Sequence, residues 1–102
     1  MRIALTDGTG RWFETGSAET FAQETWWDGK NQISCATGSQ WEHQELYRTT
    51  GGRWVLHSWS QWQGSKPTYA EISNAEAAKW LVQNEHEPHG ACAEEFAALE
   101  LR

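Results

Sequence analysis

The order of apolar and polar positions along this 102-residue chain reads as strands first and helices last. Ile3 and Leu5 alternate with Ala4. Asp7-Gly8-Thr9-Gly10 then supplies dense turn chemistry, and Trp12 and Phe13 point to opposite faces, so Ile3 to Glu14 predicts a β-hairpin. Behind Ser17, a good helix cap, Ala18, Phe21, Ala22 and Thr25 recur at i, i+3, i+4 and i+7. That stripe predicts a short helix, ended by Trp26-Trp27-Asp28-Gly29. Ile33 to Thr37 is a short strand candidate closed by Gly38.

Gly51-Gly52, between two strand-like runs, signals a two-residue turn of the primed type. Such a turn places Thr49 opposite Trp54, Tyr47 opposite Leu56, Glu45 opposite Ser58, His43 opposite Ser60 and Trp41 opposite Trp62. The other face then carries Arg48, Leu46, Gln44 and Glu42 against Val55, His57, Trp59 and Gln61. A near-repeat supports the pairing: Ser39-Gln40-Trp41 enters the hairpin and Ser60-Gln61-Trp62 leaves it. After a loop ending at Pro67, Thr68 to Ile72 is a further strand. Ser73-Asn74-Ala75-Glu76 matches a capping box, so a helix is expected from Asn74 to Gln83, with Ala77, Trp80, Leu81 and Asn84 on one side. Cys92 to Leu101 reads as a last helix with Phe96, Ala97 and Leu99 as its apolar contacts. The expected whole, residues 1–102, is a single α+β domain: an antiparallel β-meander sheet, one early short helix, and two C-terminal helices packed on one face. The other face is free to meet solvent.

Composition changes this picture in one respect. Leucine, isoleucine, valine and phenylalanine together number only 14, whereas there are eight tryptophans. Each indole buries on the order of 200 Å², so tryptophan must carry much of the core. Charge adds a second constraint. Of the net −6, residues 70–102 hold −5, which argues against a duplex nucleic-acid partner, since that needs a basic footprint. No run approaches the roughly 18 apolar residues of a membrane span, and the first residues lack a leader pattern; the expected location is the cytoplasm.

Three constellations bear on chemistry. His86, His89 and Cys92 are spaced H-x2-H-x2-C, with Cys35 as a distant fourth ligand; this is not a paired-hook zinc pattern, and neither a metal nor a cofactor is expected. His43, Glu45, Ser58 and Ser60 share a face in the predicted register. They have the composition of nucleophilic catalysis but lack a nucleophile elbow, so no catalytic residue is assigned. The third is the aromatic sheet. Exposed tryptophans are enriched at binding hot spots, and the expected function is a small non-enzymatic binding or regulatory module acting through a protein partner. Trp59, Gln61, Trp62 and Gln63 are its expected contacts. A small hydrolase or transferase using the His43, Glu45 and Ser60 region ranks second, and a single-stranded nucleic-acid binder using the aromatic face third.

Overall fold

A computed structural model describes residues 1–62, 64–87 and 90–101. Its architecture is mixed: antiparallel sheets plus two α-helices. The first hairpin forms as expected, β1 (Arg2–Ala4) with β2 (Trp12–Glu14), Ile3 opposite Phe13. Its turn is tied by Asp7, whose Oδ1 accepts from the Thr9 N–H at 3.0 Å and hydroxyl at 2.6 Å.

The early helix does not form. Thr15–Ser17 make a single 3-10 turn capped by the Glu14 side chain; then come β3 (Glu19–Ala22) and β4 (Thr25–Trp27). The apolar stripe was real, but the stretch is too short to nucleate a helix by itself. Thr20, Phe21, Thr25, Trp26 and Trp27 are all good strand formers, and β3 gains a complete ladder along β6 (Glu42–Arg48). β4 folds back on β5 (Gln32–Ser34) as a second hairpin, so Asp28-Gly29 begins a turn, though not a helix stop. Asp28 Oδ1 accepts from the Lys30 and Asn31 N–H groups at 2.8 and 2.7 Å.

The main sheet has the order β3-β6-β7-β8, antiparallel throughout, with β6 at Glu42–Arg48, β7 at Trp54–Ser60 and β8 at Thr68–Ile72. It is a meander interrupted by the β4–β5 hairpin. The glycine pair does close β6 onto β7, but the register differs from expectation by one residue: Arg48, not Thr49, lies opposite Trp54, and Tyr47 lies opposite Val55. A primed two-residue turn needs positive φ at its first central residue, and the type I′ form at both. Only Gly52 takes it, at +83°. Thr50, Gly51 and Gly52 form a three-residue loop instead, closed by Gly52 N–H to Thr49 O (2.9 Å) and Thr49 N–H to Arg53 O (2.8 Å).

One face of this sheet is dry. Leu46 and Trp54, with Phe21, Leu56 and Ile72, meet α1 (Asn74–Gln83) through Ala77, Ala78, Trp80 and Leu81. The capping box is present: Glu76 N–H donates to Ser73 Oγ at 3.1 Å, and Ser73 N–H to Glu76 Oε1. Both buried indoles find acceptors, Trp54 Nε1 on Asn74 Oδ1 (2.9 Å) and Trp80 Nε1 on Gln44 Oε1 (3.1 Å). α1 ends in a Schellman arrangement, His86 N–H to Leu81 O and Glu85 N–H to Val82 O, with Glu85 at φ +59° where glycine is usual. The last helix is shorter than expected. A 3-10 turn at Gly90–Cys92 precedes α2 (Ala93–Ala98), and no side chain caps its start. α2 lies against α1 and turns Phe96 toward the common core, while Ala97 and Leu99 stay exposed.

The molecule is a flat body of 44 × 41 × 22 Å with a radius of gyration of 14.3 Å, against about 13 Å for a compact chain of this length. None of the helices among the described residues is long and apolar enough to cross a membrane.

Candidate functional site

Alternation along β6, β7 and β8 turns His43, Glu45, Tyr47, Val55, His57, Trp59, Tyr69 and Glu71 to the face away from α1. Phe13 of the first hairpin covers the turn end of this face, its ring 5.1 Å from Tyr47 and 6.3 Å from Tyr69. Beyond it the side chains form a linked array. Glu45 Oε1 accepts from the Tyr47 hydroxyl at 2.6 Å and from His57 Nδ1 at 2.8 Å. The carboxylate therefore fixes the His57 tautomer, with its proton on Nδ1. The His57 ring lies parallel to Tyr69 (4.2 Å, 5°) and against Trp59 (4.6 Å), and Trp59 in turn meets His43 at 5.7 Å. Burial first, and the Glu45 hydrogen bond second, push the Tyr47 hydroxyl well above the ordinary tyrosine range; Tyr69 is raised by burial and by the Glu45 charge.

His43 is held from behind. Gln23 Oε1 accepts from Ser34 Oγ (2.7 Å) and from the Gln44 N–H (2.9 Å), which orients the amide so that Nε2 faces His43 Nδ1 at 2.7 Å. The His43 Nε2 is buried and has no partner among the described residues. Ser58 and Ser60 project from the opposite face, and Gln44 Nε2 donates to Ser58 Oγ at 3.2 Å. The serine–histidine–carboxylate grouping expected from the sequence is therefore not assembled; His57 takes the place beside Glu45. That substitution follows from the one-residue change in register.

An exposed tryptophan pair lies past the ends of β6 and β7. The ladder continues past β7 through Gln61 N–H to Trp41 O (2.9 Å), and Trp41 and Trp62 touch with ring centroids 5.2 Å apart. Each is held by the same local device. Ser39 Oγ accepts from the Trp41 N–H at 3.0 Å, and Ser60 Oγ from the Trp62 N–H at 3.1 Å. The Ser-Gln-Trp repeat is thus two serine turns, one on each strand of the hairpin, presenting one indole apiece. Trp62 is 61% exposed and Trp41 41%.

Of the residues expected to bind, Trp62 and Gln61 are exposed and Trp59 is half-buried within the array. Gln63 lies outside the described residues. Trp41 was missed, although the repeat that pairs it with Trp62 was visible. Of the metal-type residues, His86 bonds Ala22 O through Nε2 at 2.6 Å and stacks on Trp80, and Cys92 is buried in the core. The Cys35 thiol is pushed up by burial and by Glu85 and Glu24, and His89 lies outside the described residues. Among the described residues no three metal-type ligands converge. The chain matches no family model, no curated protein and no solved structure.

Proposed function

We propose that this protein is a non-enzymatic binding module that recognises another protein through Trp41 and Trp62, with Gln61 at the rim and half-buried Trp59 as a further contact. The carrying observation is the pair of serine turns that holds two contacting indoles in solvent. Five tryptophans in all are exposed, Trp12, Trp26, Trp27, Trp41 and Trp62, in a chain short of aliphatic residues for its own core. Large rigid side chains lose little conformational entropy on association, and clustered tryptophans are over-represented among residues that dominate binding energy.

The test uses a partner captured from native extract on immobilised protein, then purified. Its Kd is measured for the parent and for Trp62→Ala. A loss of about 2 kcal/mol or more is expected, roughly 30-fold in Kd, while the urea midpoint changes by no more than about 0.5 kcal/mol in stability. An unchanged Kd, or a variant that unfolds, would remove the proposal.

A further inference from the structure

A cleft of about 760 Å³ lies between the β1–β2 hairpin and the loop joining β6 to β7, within the roughly 300–1,000 Å³ of small-ligand sites. It is separate from the Trp41–Trp62 pair. Leu5, Phe13 and Val55 give it apolar lining, and Trp12, 57% exposed, is a further wall. The polar lip is built from opposite sides. Arg11 and Arg53 both clamp Glu71, Nη1 to Oε1 at 2.7 Å and Nη1 to Oε2 at 2.9 Å. Those guanidiniums hold the Glu71 carboxyl below its ordinary range. Each nitrogen of the Arg11 guanidinium already has a partner, since Nε also reaches Thr9 Oγ1 and Nη2 reaches Asp7.

Of the Arg53 guanidinium only Nη1 has a partner among the described residues, and the side chain is 69% exposed. The adjacent loop adds donors. Gly52 and Arg53 direct their N–H groups at Thr49, but the N–H groups of Thr50 and Gly51 bond to no described residue. The lip therefore gathers unpartnered donors over an apolar floor. Both oxygens of Glu71 are already bonded, and Glu14 Oε1 accepts from the Gly16 N–H. We infer that this cleft binds an apolar group bearing a carboxylate: the apolar body sits against Phe13, Val55 and Trp12, and the carboxylate takes hydrogen bonds from Arg53 and from the Thr50 and Gly51 amides. A free aryl-alkyl acid and a peptide ending in an apolar residue share this chemistry. Backbone N–H groups are a known means of capturing chain termini.

Amide NMR shifts on titration of the folded protein test the inference, with 3-phenylpropionate and 3-phenylpropanamide as one pair and acetyl-Gly-Gly-Gly-Phe as acid and amide as the other. Saturable shifts at Thr50, Gly51 and Arg53 are expected, with an acid about tenfold or more tighter than its amide, as one charge-assisted hydrogen bond requires. Arg53→Gln, at an exposed position, should bring the acid to the level of the amide. Whichever acid binds more tightly identifies the source, small molecule or chain terminus. Equal binding of acid and amide, an Arg53→Gln Kd equal to the parent, or no shift at Gly51 at millimolar ligand would each overturn it.

Discussion

The two faces of the β3-β6-β7-β8 sheet are made by the same strands and are held together in different ways. Toward α1 the contacts are mainly apolar, the two buried indole N–H groups each have one acceptor, Gln44 also bonds Ser58, and Arg48 lies over the Trp54 ring. On the other face the contacts are stacked rings tied by one carboxylate, Glu45, and the cover is partial. Apolar packing tolerates no vacancy, because a lost side chain leaves a void. A hydrogen-bonded array can lose one member and admit water in its place. The helix side should therefore hold most of the stability, and the other side is free to carry ligand-facing groups.

Trp54 and Trp59 sit on one strand with opposite directions, and they break the comparison most sharply. Trp54→Ala should cost about 3–5 kcal/mol, read from the shift in urea midpoint at constant slope. Trp59→Ala, at a half-buried ring, should cost about half as much. Equal losses would mean that the two faces are energetically alike.

The alkaline limb of stability is governed by the second face. Tyr47 and Tyr69 have folded pKa values above their unfolded ones. Their contribution is complete below the unfolded value near 10 and is lost as pH rises from there toward the folded values. Stability should fall above about pH 10, and Tyr47→Phe should flatten that fall while sacrificing the bond to Glu45. Denaturant titrations at several pH values between 8 and 11 would check it. A parent curve that is flat across this range would contradict the assignment.

The smallest effect concerns the helix side again. Glu85 occupies the left-handed position of the α1 C-cap, at a cost of roughly 1–2 kcal/mol for a residue with a side chain. Glu85→Gly should stabilise by about 0.5–1 kcal/mol once the added freedom of the unfolded chain is set against it. Thermal melts would show a rise of a few degrees, and a lower melting temperature would show that the Glu85 side chain makes a contact worth more than the strain.

What the sequence disclosed follows from how local each signal was. The capping box at Ser73 and the buried stripe of Ala77, Trp80 and Leu81 depend on neighbours within two turns, and both are present. The pairing of β6 with β7 was legible from Gly51-Gly52. Its loop length was not, because a glycine pair permits positive φ at both positions without requiring it. The stretch from Ser17 to Trp27 carried helical spacing, yet a ladder along β6, remote in sequence, decided its conformation. The candidate surface was half legible. Trp62 and Gln61 were named as contacts; Trp41 was placed opposite Trp62 but not counted among the contacts, and Glu45 with His57 depended on the register.

The loop at Thr50-Gly51-Gly52 has a consequence for how this chain can vary. Surface loops ordinarily accept insertions and deletions. Here the loop length sets a parity. With three residues, odd-numbered positions of β6 share a face with odd-numbered positions of β7; with two or four, odd would meet even. A single-codon deletion at Gly51 would leave Thr49 opposite Arg53 only across a two-residue turn with positive φ at Thr50, which a β-branched residue resists; a loop kept at three residues would move the register by one and set keeping Trp54 beneath α1 against keeping His57 beside Glu45. Substitutions at Thr50 or Gly51 leave the parity intact. Length at this exposed tip is therefore more tightly bound to the fold than the identity of the residues that fill it.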